Sequence, residues 1–480
     1  MRNGTGLHGM RAAFAGALAL GVMATGAATA RDGEEVGTLG APDAAGLQLV
    51  LDGSLLADPA GIALRPRVRG ELWVTNRGDD SLTILRLDGD RVHAITRTDG
   101  YAEHFTALPP GIAFPADGER LAVANDSSNE VRDLVFRMNP ERNVYFKGSN
   151  FMGPTLFAAD TYALAAQTKR YLDDWPQPGY GHDAPDDIPQ DDCPVEFWSI
   201  ETGHCMWPRE GSHLDMLHAN PLSTGIAVIV ENVFALLDGC GSRDADNACL
   251  GDGHLAVVDF NRDHGEGNGF HGDGIVHRYI DAPYTRVAGL PSGIVVRADL
   301  AYYADTGAGV VRTADLDAGH TSVLVGPWHP GQSSHGRTGT GSTDWAYVVD
   351  SPGDGDSPDV IAAWIADSGD PALNERAGDR WIRPQETLSE YAYVYDTPRT
   401  ELVPAGRITA PTGLAASDAG LWVADGASGT LHLVDWLDGT EIRTIETGRT
   451  GIAGIAWSGA EGALYLVADG AVWRLVPPAG

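Results

Sequence analysis

One pattern returns along the chain and limits what it can fold into. A Gly-Ile or Gly-Leu step opens a short apolar strand and a turn follows. A second apolar and aromatic strand then ends in Ala-Asp-Gly or a relative, before a third strand. Clear copies begin at Gly61, Gly111, Gly293, Gly413 and Gly454. A sixth begins at Gly225 with its third strand displaced to 253–260, and a weaker one begins at Gly153. Short alternating strands broken by Gly and Asp or Asn turns make antiparallel sheets. A unit recurring every ~40–50 residues is one blade that cannot bury both faces alone. Radial packing of blades solves that and protects the edges. The 120-residue gap from Gly293 to Gly413 leaves room for another blade around 344–350, 360–367 and 390–396. The predicted fold is therefore all-β: a single β-propeller over 46–480, six-bladed by preference, with seven or eight blades left open. Insertions near 170–210, 238–273 and 327–390 are expected on one face. The Asn or Asp after the second strand (Asn76, Asn125, Asp305, Asp425, Asp469) is expected to cap the next turn.

Composition agrees with this fold and narrows the partners. Of 480 residues, 43% are hydrophobic, which excludes a disordered chain. The 61 glycines favour turns and strands over a helical bundle. Acidic residues outnumber basic ones 66 to 33, and the net charge of −33 argues against nucleic acid or an anionic membrane as partner. Small-molecule, peptide and protein partners stay open. Residues 1–30 read as a signal peptide: Arg2 and Arg11, an apolar stretch over 12–22, and Ala28-Thr29-Ala30 before Arg31. Residues 31–45 read as a flexible linker. A secreted or periplasmic monomer with no membrane span after cleavage is expected. Four cysteines suit that address, and the local pairing Cys193–Cys205 and Cys240–Cys249 is expected to staple two acidic insertions.

Chemistry is expected in the insertions. Segment 211–228 carries His213, Asp215 and His218, and His218 stands just before a Pro and the Gly-Ile of an inner strand. An imidazole there would face the mouth of the central channel. Segment 257–279 gathers Asp259, Asp263, His264, His271, Asp273 and His277 among glycines that let the backbone curl. Imidazoles suit zinc, copper or iron, and carboxylates suit calcium. The expected ligands of a divalent metal are His218, His264 and His271, with His213, Asp215 and Asp273 in support. Asp263 is the expected base if the metal activates water. Segment 242–253 is a calcium alternative. The loop 327–344, with His329 and His335, and the acidic stretch 182–193 read as solvated. No GxSxG, P-loop, HExxH, CxxCH or dinucleotide fingerprint occurs, which argues against nucleotide-dependent chemistry.

The repeats resemble the NHL and YVTN-type repeats of six- and seven-bladed propellers over most of 50–480. Among exported propellers of this type, the chain resembles peptidyl-hydroxyglycine amidating lyase. That resemblance implies zinc held by His residues just before a Pro at several inner strands, with calcium nearby. Here LHANPLSTGIAV, with His218, matches. LPPGIAF, LPSGIVV, APTGLAA and AGIAW carry no His, so His264 or His271 would have to substitute. The readings carried forward are a metal-dependent lyase or hydrolase, a metal-binding protein without turnover, and a non-catalytic propeller. The last would bind a protein, peptide or glycan with calcium-stabilised loops.

Overall fold

The computed structural model describes residues 34–53, 55–98, 106–127, 136–138, 144–146, 153–159, 198–199, 204–205, 213–216, 222–239, 242–243, 249–250, 253–260, 275–318, 320–327, 348–350, 388–395 and 397–478. All its regular elements are strands, and six sheets form six blades of a β-propeller. Each blade opens on an inner strand: Pro59–Leu64, Gly111–Ala113, Ser223–Val230, Ile294–Arg297, Pro411–Ser417 and Gly454–Ser458 in blades I to VI. Each inner strand touches the next, and the sixth touches the first, so the ring is closed. Six apolar clusters fill the six gaps between neighbouring blades. Between blades I and II, for example, Trp73 and Ile84 meet Phe114, Val123 and Phe157. Burial of these sheet faces is the main stabilising term, and it is available only to the complete ring.

The recurring glycines explain how six strands fit around one axis. A Cβ on Gly61 would stand 2.8 Å from the Gly111 Cα. One on Gly225 would fall on the Ser292 carbonyl oxygen, and one on Gly454 on that of Ala60. None of these three has a positive φ, so it is space and not backbone conformation that demands glycine. Where side chains are excluded, the backbones bond across blades: Ser292 N–H donates to Thr224 O at 3.0 Å and Ser223 N–H to Asn125 O at 2.9 Å.

The N-terminal part closes the ring. Leu47–Leu51 is the outermost strand of blade VI and pairs with Ala471–Leu475. Asp43 bonds Arg449 at 2.8 Å, and the Arg449 guanidinium lies 3.8 Å over the Trp473 ring. Glu34–Thr38, expected as linker, instead adds a fifth strand to blade I by pairing with Arg91–Ile95. The alternation Val36, Thr38 was too short to register as a strand signal.

The fourth strands show where the insertions leave the ring. We call upper the end at which second strands finish and inner strands begin, as in the pairs Pro59–Asn76, Ser223–Asp238 and Pro411–Asp425. Segments 159–212, 260–274 and 316–398 all join the third to the fourth strand, in blades II, III and IV, at the lower end. Segments 128–152 and 240–252 join second to third strands at the upper end. The insertions therefore leave from two ends, not one face. Gly153 opens no blade, because Thr155–Ala158 is the third strand of blade II. The long gap adds no seventh blade among the described residues: Leu388–Tyr395 lies parallel to Ile275–Tyr284 on the edge of blade III, and Arg399–Val403 completes blade IV.

The Asn and Asp residues staple each second strand to the connection that enters the same blade. Asn125 Oδ1 accepts the Ala107 N–H at 2.9 Å, and Asp305 Oδ1 the Thr285 N–H at 2.9 Å. Asp425 accepts from Thr409 and Ala410 and also caps the turn at Ala427, at 3.0, 3.1 and 3.0 Å. Burial pushes the Asp425 carboxyl up, but these N–H groups outweigh it and hold it below the usual range. Asp469 departs from the pattern: it is exposed, with φ 51°, and among the described residues its carboxylate meets the Thr450 hydroxyl at 3.5 Å rather than a backbone N–H.

Axial crowding has a measurable consequence. Gly225→Ala is expected to lose about 1–3 kcal/mol in urea unfolding, the usual range for overpacking. Gly37→Ala, whose Cβ would meet nothing within 4 Å, is expected to stay within about 0.5 kcal/mol of the parent.

Candidate functional site

Charged side chains from several blades converge at the upper mouth of the ring. Arg77 follows Asn76 at the end of the second strand of blade I, and Asp126 follows Asn125 in blade II. Arg286 follows Thr285 on the connection from blade III to blade IV. The Asn and Asp staples hold each of these three backbones in place. Asp126 then binds both arginines: Arg286 Nε donates to Oδ1 at 2.6 Å and Arg77 Nη2 to Oδ2 at 3.1 Å. Arg77 Nη1 donates to the carbonyl oxygen of Gly289, on the connection to the opposite blade, so this side chain spans the mouth.

These groups differ in exposure. The Asp126 side chain is 1% exposed, Arg77 9% and Arg286 22%. Burial pushes the Asp126 carboxyl up, against the pull of Arg286 and Arg77. Arg77 Nε is buried with no acceptor among the described residues. The rim is strained and mixed in character, with exposed leucines beside the Asp80 carboxylate, which accepts the Leu108 N–H at 2.6 Å. Leu108 and Leu222 adopt φ of 48° and 59°, a region that branched side chains rarely enter, and Leu108 and Leu290 are exposed. Asp126 N–H donates to the Leu108 carbonyl at 3.4 Å.

Below the mouth, hydroxyls form a chain from blade III to blade V. Thr224 donates to the Tyr284 hydroxyl at 2.6 Å, and Tyr284 meets Ser292 at 2.8 Å. Ser292 meets Thr306 at 2.5 Å, which donates to Pro411 O at 2.7 Å. Burial pushes the Tyr284 phenol up, so it stays protonated and serves as a brace between blades.

A second titratable group sits at the upper end of blade III. Arg278 Nη1 donates to Asp238 Oδ2 at 2.7 Å, and the His254 Nε2 is 4.0 Å from the same oxygen. Burial pushes the His254 imidazole down to about 4, which outweighs the nearby carboxylate.

The expected metal ligands fare differently. His213 and Asp215 lie on His213–Met216, the outermost strand of blade II, where their backbones pair with Phe157 and Leu156. That strand is three removed from the inner one, so neither stands at the start of an inner strand. His218, Asp263, His264, His271 and Asp273 lie outside the described residues, as do Cys193, Cys240, residues 1–30, the stretch 182–193 and the loop with His329 and His335. The two half-cystine pairings therefore lie outside them too. The described flanks are informative: the segment with His218 ends at Leu222 on the upper end, whereas 261–274 runs between Phe260 and Ile275 at the lower end of the same blade. His277 is on the fourth strand of blade III, not in a curled loop. No group of three or more His, Cys, Asp and Glu that could hold a metal occurs among the described residues. The described mouth does not fit a divalent cation either. Its carboxylate is already shared by two guanidiniums, which would repel a second positive centre. Sequence reading missed Arg77, Asp126 and Arg286. The usable signal was a charge directly after the capping Asn in blades I and II, where blades III and V carry Gly239 and Gly426.

No family model matches this sequence, and no curated protein does. Solved structures match in architecture. A gluconolactonase from Xanthomonas campestris is 13% identical, with TM-score 0.38, covering 91% of this chain and 94% of its own. Regucalcin, a calcium-binding protein from Agrobacterium tumefaciens, is 13% identical with TM-score 0.41, covering 89% and 92%. The PQQ-bound aldose sugar dehydrogenase of Streptomyces coelicolor is 11% identical with TM-score 0.40, covering 93% and 99%. None of these three is an amidating lyase. Likenesses this remote bear on neither activity nor ligand, and the fold rests on the closed ring of inner strands.

The His254 environment predicts a pH dependence. Between about pH 6.5 and about 4 only the unfolded chain binds a proton at this imidazole, so stability falls as the pH drops through that window. His254→Gln is expected to flatten the urea stability profile there, by up to about 1.4 kcal/mol per pH unit.

Proposed function

We propose that the protein is an exported, monomeric propeller that binds a small molecule or peptide at the upper mouth. The observation that carries this is the meeting of Arg77, Asp126 and Arg286 from different blades over the channel. Desolvating such charges is expensive, and the glycines and apolar clusters already close the ring without them. Sites that break the local rules of packing in this way are where function concentrates. Hits from a metabolite and peptide library in thermal-shift assays are expected to bind at least tenfold more weakly to Leu290→Trp, which crowds the rim. Hits indifferent to that substitution would place binding elsewhere and sink the reading.

A second reading keeps the divalent metal, but away from the arginines. It rests on the His and Asp residues clustered in sequence at 211–228 and 257–279, and the described flanks at opposite ends of blade III make two separate ions the expectation. A metal held there would supply Lewis acidity or an activated water for a lyase or hydrolase, with Asp263 as base. Elemental analysis of protein recovered from the periplasm, starting at Arg31, tests this. His218→Ala and His264→Ala are expected to lower metal content independently. Metal-free parent protein rules the reading out, and complete loss in either variant alone restores a single shared ion.

A further inference from the structure

We propose that the mouth is specific for a monocarboxylate with an apolar body, held by Arg286 and Arg77 and flanked by Leu108 and Leu290. This rests on the ligand-binding reading of the mouth and adds the chemistry of the ligand. Three observations lead to it.

The first is charge. Two guanidiniums share one buried carboxylate, Asp126, and a second carboxylate, Asp80, accepts the Leu108 N–H at 2.6 Å on the rim. One further negative charge has a place only against the arginines. A phosphate dianion would overshoot beside Asp126, and a cation would be repelled.

The second is hydrogen-bonding capacity. Arg286 uses Nε on Asp126, and its two terminal nitrogens have no acceptor among the described residues, while its side chain is 22% exposed. Arg77 is nearly buried, with one terminal nitrogen on Gly289 O and the other on Asp126, so it backs the site with charge while Arg286 offers the accessible donors. A guanidinium presents paired N–H groups that match the two oxygens of a carboxylate. Asp126 shows that these two arginines already hold such a group, at 2.6 and 3.1 Å.

The third is the rim. Leu108 lies one hydrogen bond from Asp126, and Leu290 follows Gly289, the acceptor of Arg77. Both leucines are exposed, at 43% and 38%. An acid whose carboxylate reached Arg286 would lay its apolar part on them, and this burial would favour a longer aliphatic or aromatic body.

A free acid and a peptide C-terminus both present this chemistry, and calorimetric titration can separate them. The probes are hexanoate and hexanamide, N-acetyl-leucine and its amide, and inorganic phosphate, each titrated into the full chain. At least one acid is expected to bind ten or more times tighter than its amide and tighter than phosphate. Whichever acid binds more tightly identifies the source. Arg286→Gln is expected to remove that preference and to lower the thermal midpoint, because buried Asp126 loses a partner, and Arg286→Lys to restore part of both. Leu290→Ser should weaken acid and amide alike. If Arg286→Gln fails to fold, Arg286→Lys and Leu290→Ser still decide the matter. Equal binding of acid and amide, binding indifferent to Arg286 and Leu290, or no binding of either acid overturns the proposal. The ligand-binding reading fails separately, when library hits ignore Leu290→Trp. If neither Arg286 substitution alters anything but stability, the three charges are a brace.

Discussion

Six inner strands must meet around one axis, and there is no room between them for side chains. Everything else in the molecule follows from that crowding. Glycine at the contact lets Gly61 approach Gly111 and Gly225 approach Ser292, and the freed backbone groups bond from blade to blade. Outside this ring each sheet fans outward, and its two faces are buried only because neighbours stand on both sides. The site inherits the same geometry. Short connections at the upper end bring Arg77, Asp126 and Arg286 within bonding distance although 49 to 209 positions separate them in sequence.

Repetition made the architecture readable in the sequence. A glycine every few dozen residues is imposed six times by one packing problem, and a stapling Asn or Asp ends the second strand in four of the blades, so both recur visibly. Irregular pieces did not recur. Glu34–Thr38 joins blade I as a single short strand, and Leu388–Tyr395 joins blade III from a distant part of the chain. Gly153 imitated a blade start because a third strand follows it directly. The mouth was illegible for a related reason. Arg77 and Asp126 each occur once, and nothing in local spacing shows that their connections face each other across a ring. The histidines cluster along the chain, yet His213 lies on an outer strand, and clustering in sequence is a weak guide to convergence around an axis.

Charge is distributed against the average. The chain is strongly acidic, yet two guanidiniums gather around the Asp126 carboxylate at its described channel mouth. The surrounding negative field favours retention of these cations and discourages indiscriminate capture of anions from bulk solvent.

The strand that completes blade VI has a kinetic meaning. Gln48 and Arg474 bond at 2.7 Å across 426 positions, so the last sheet is assembled from both extremities of the chain. Such a closure carries a large loop entropy and depends on contacts of extreme sequence separation. While the chain is being made or moved, the first blades can pair locally, but the face of blade I that receives blade VI stays bare. Completion of the ring thus waits for Ala471–Leu475 to reach Leu47–Leu51. A truncated or stalled chain would expose the Val74 and Leu85 face and become a substrate for quality control or aggregation rather than a smaller working propeller.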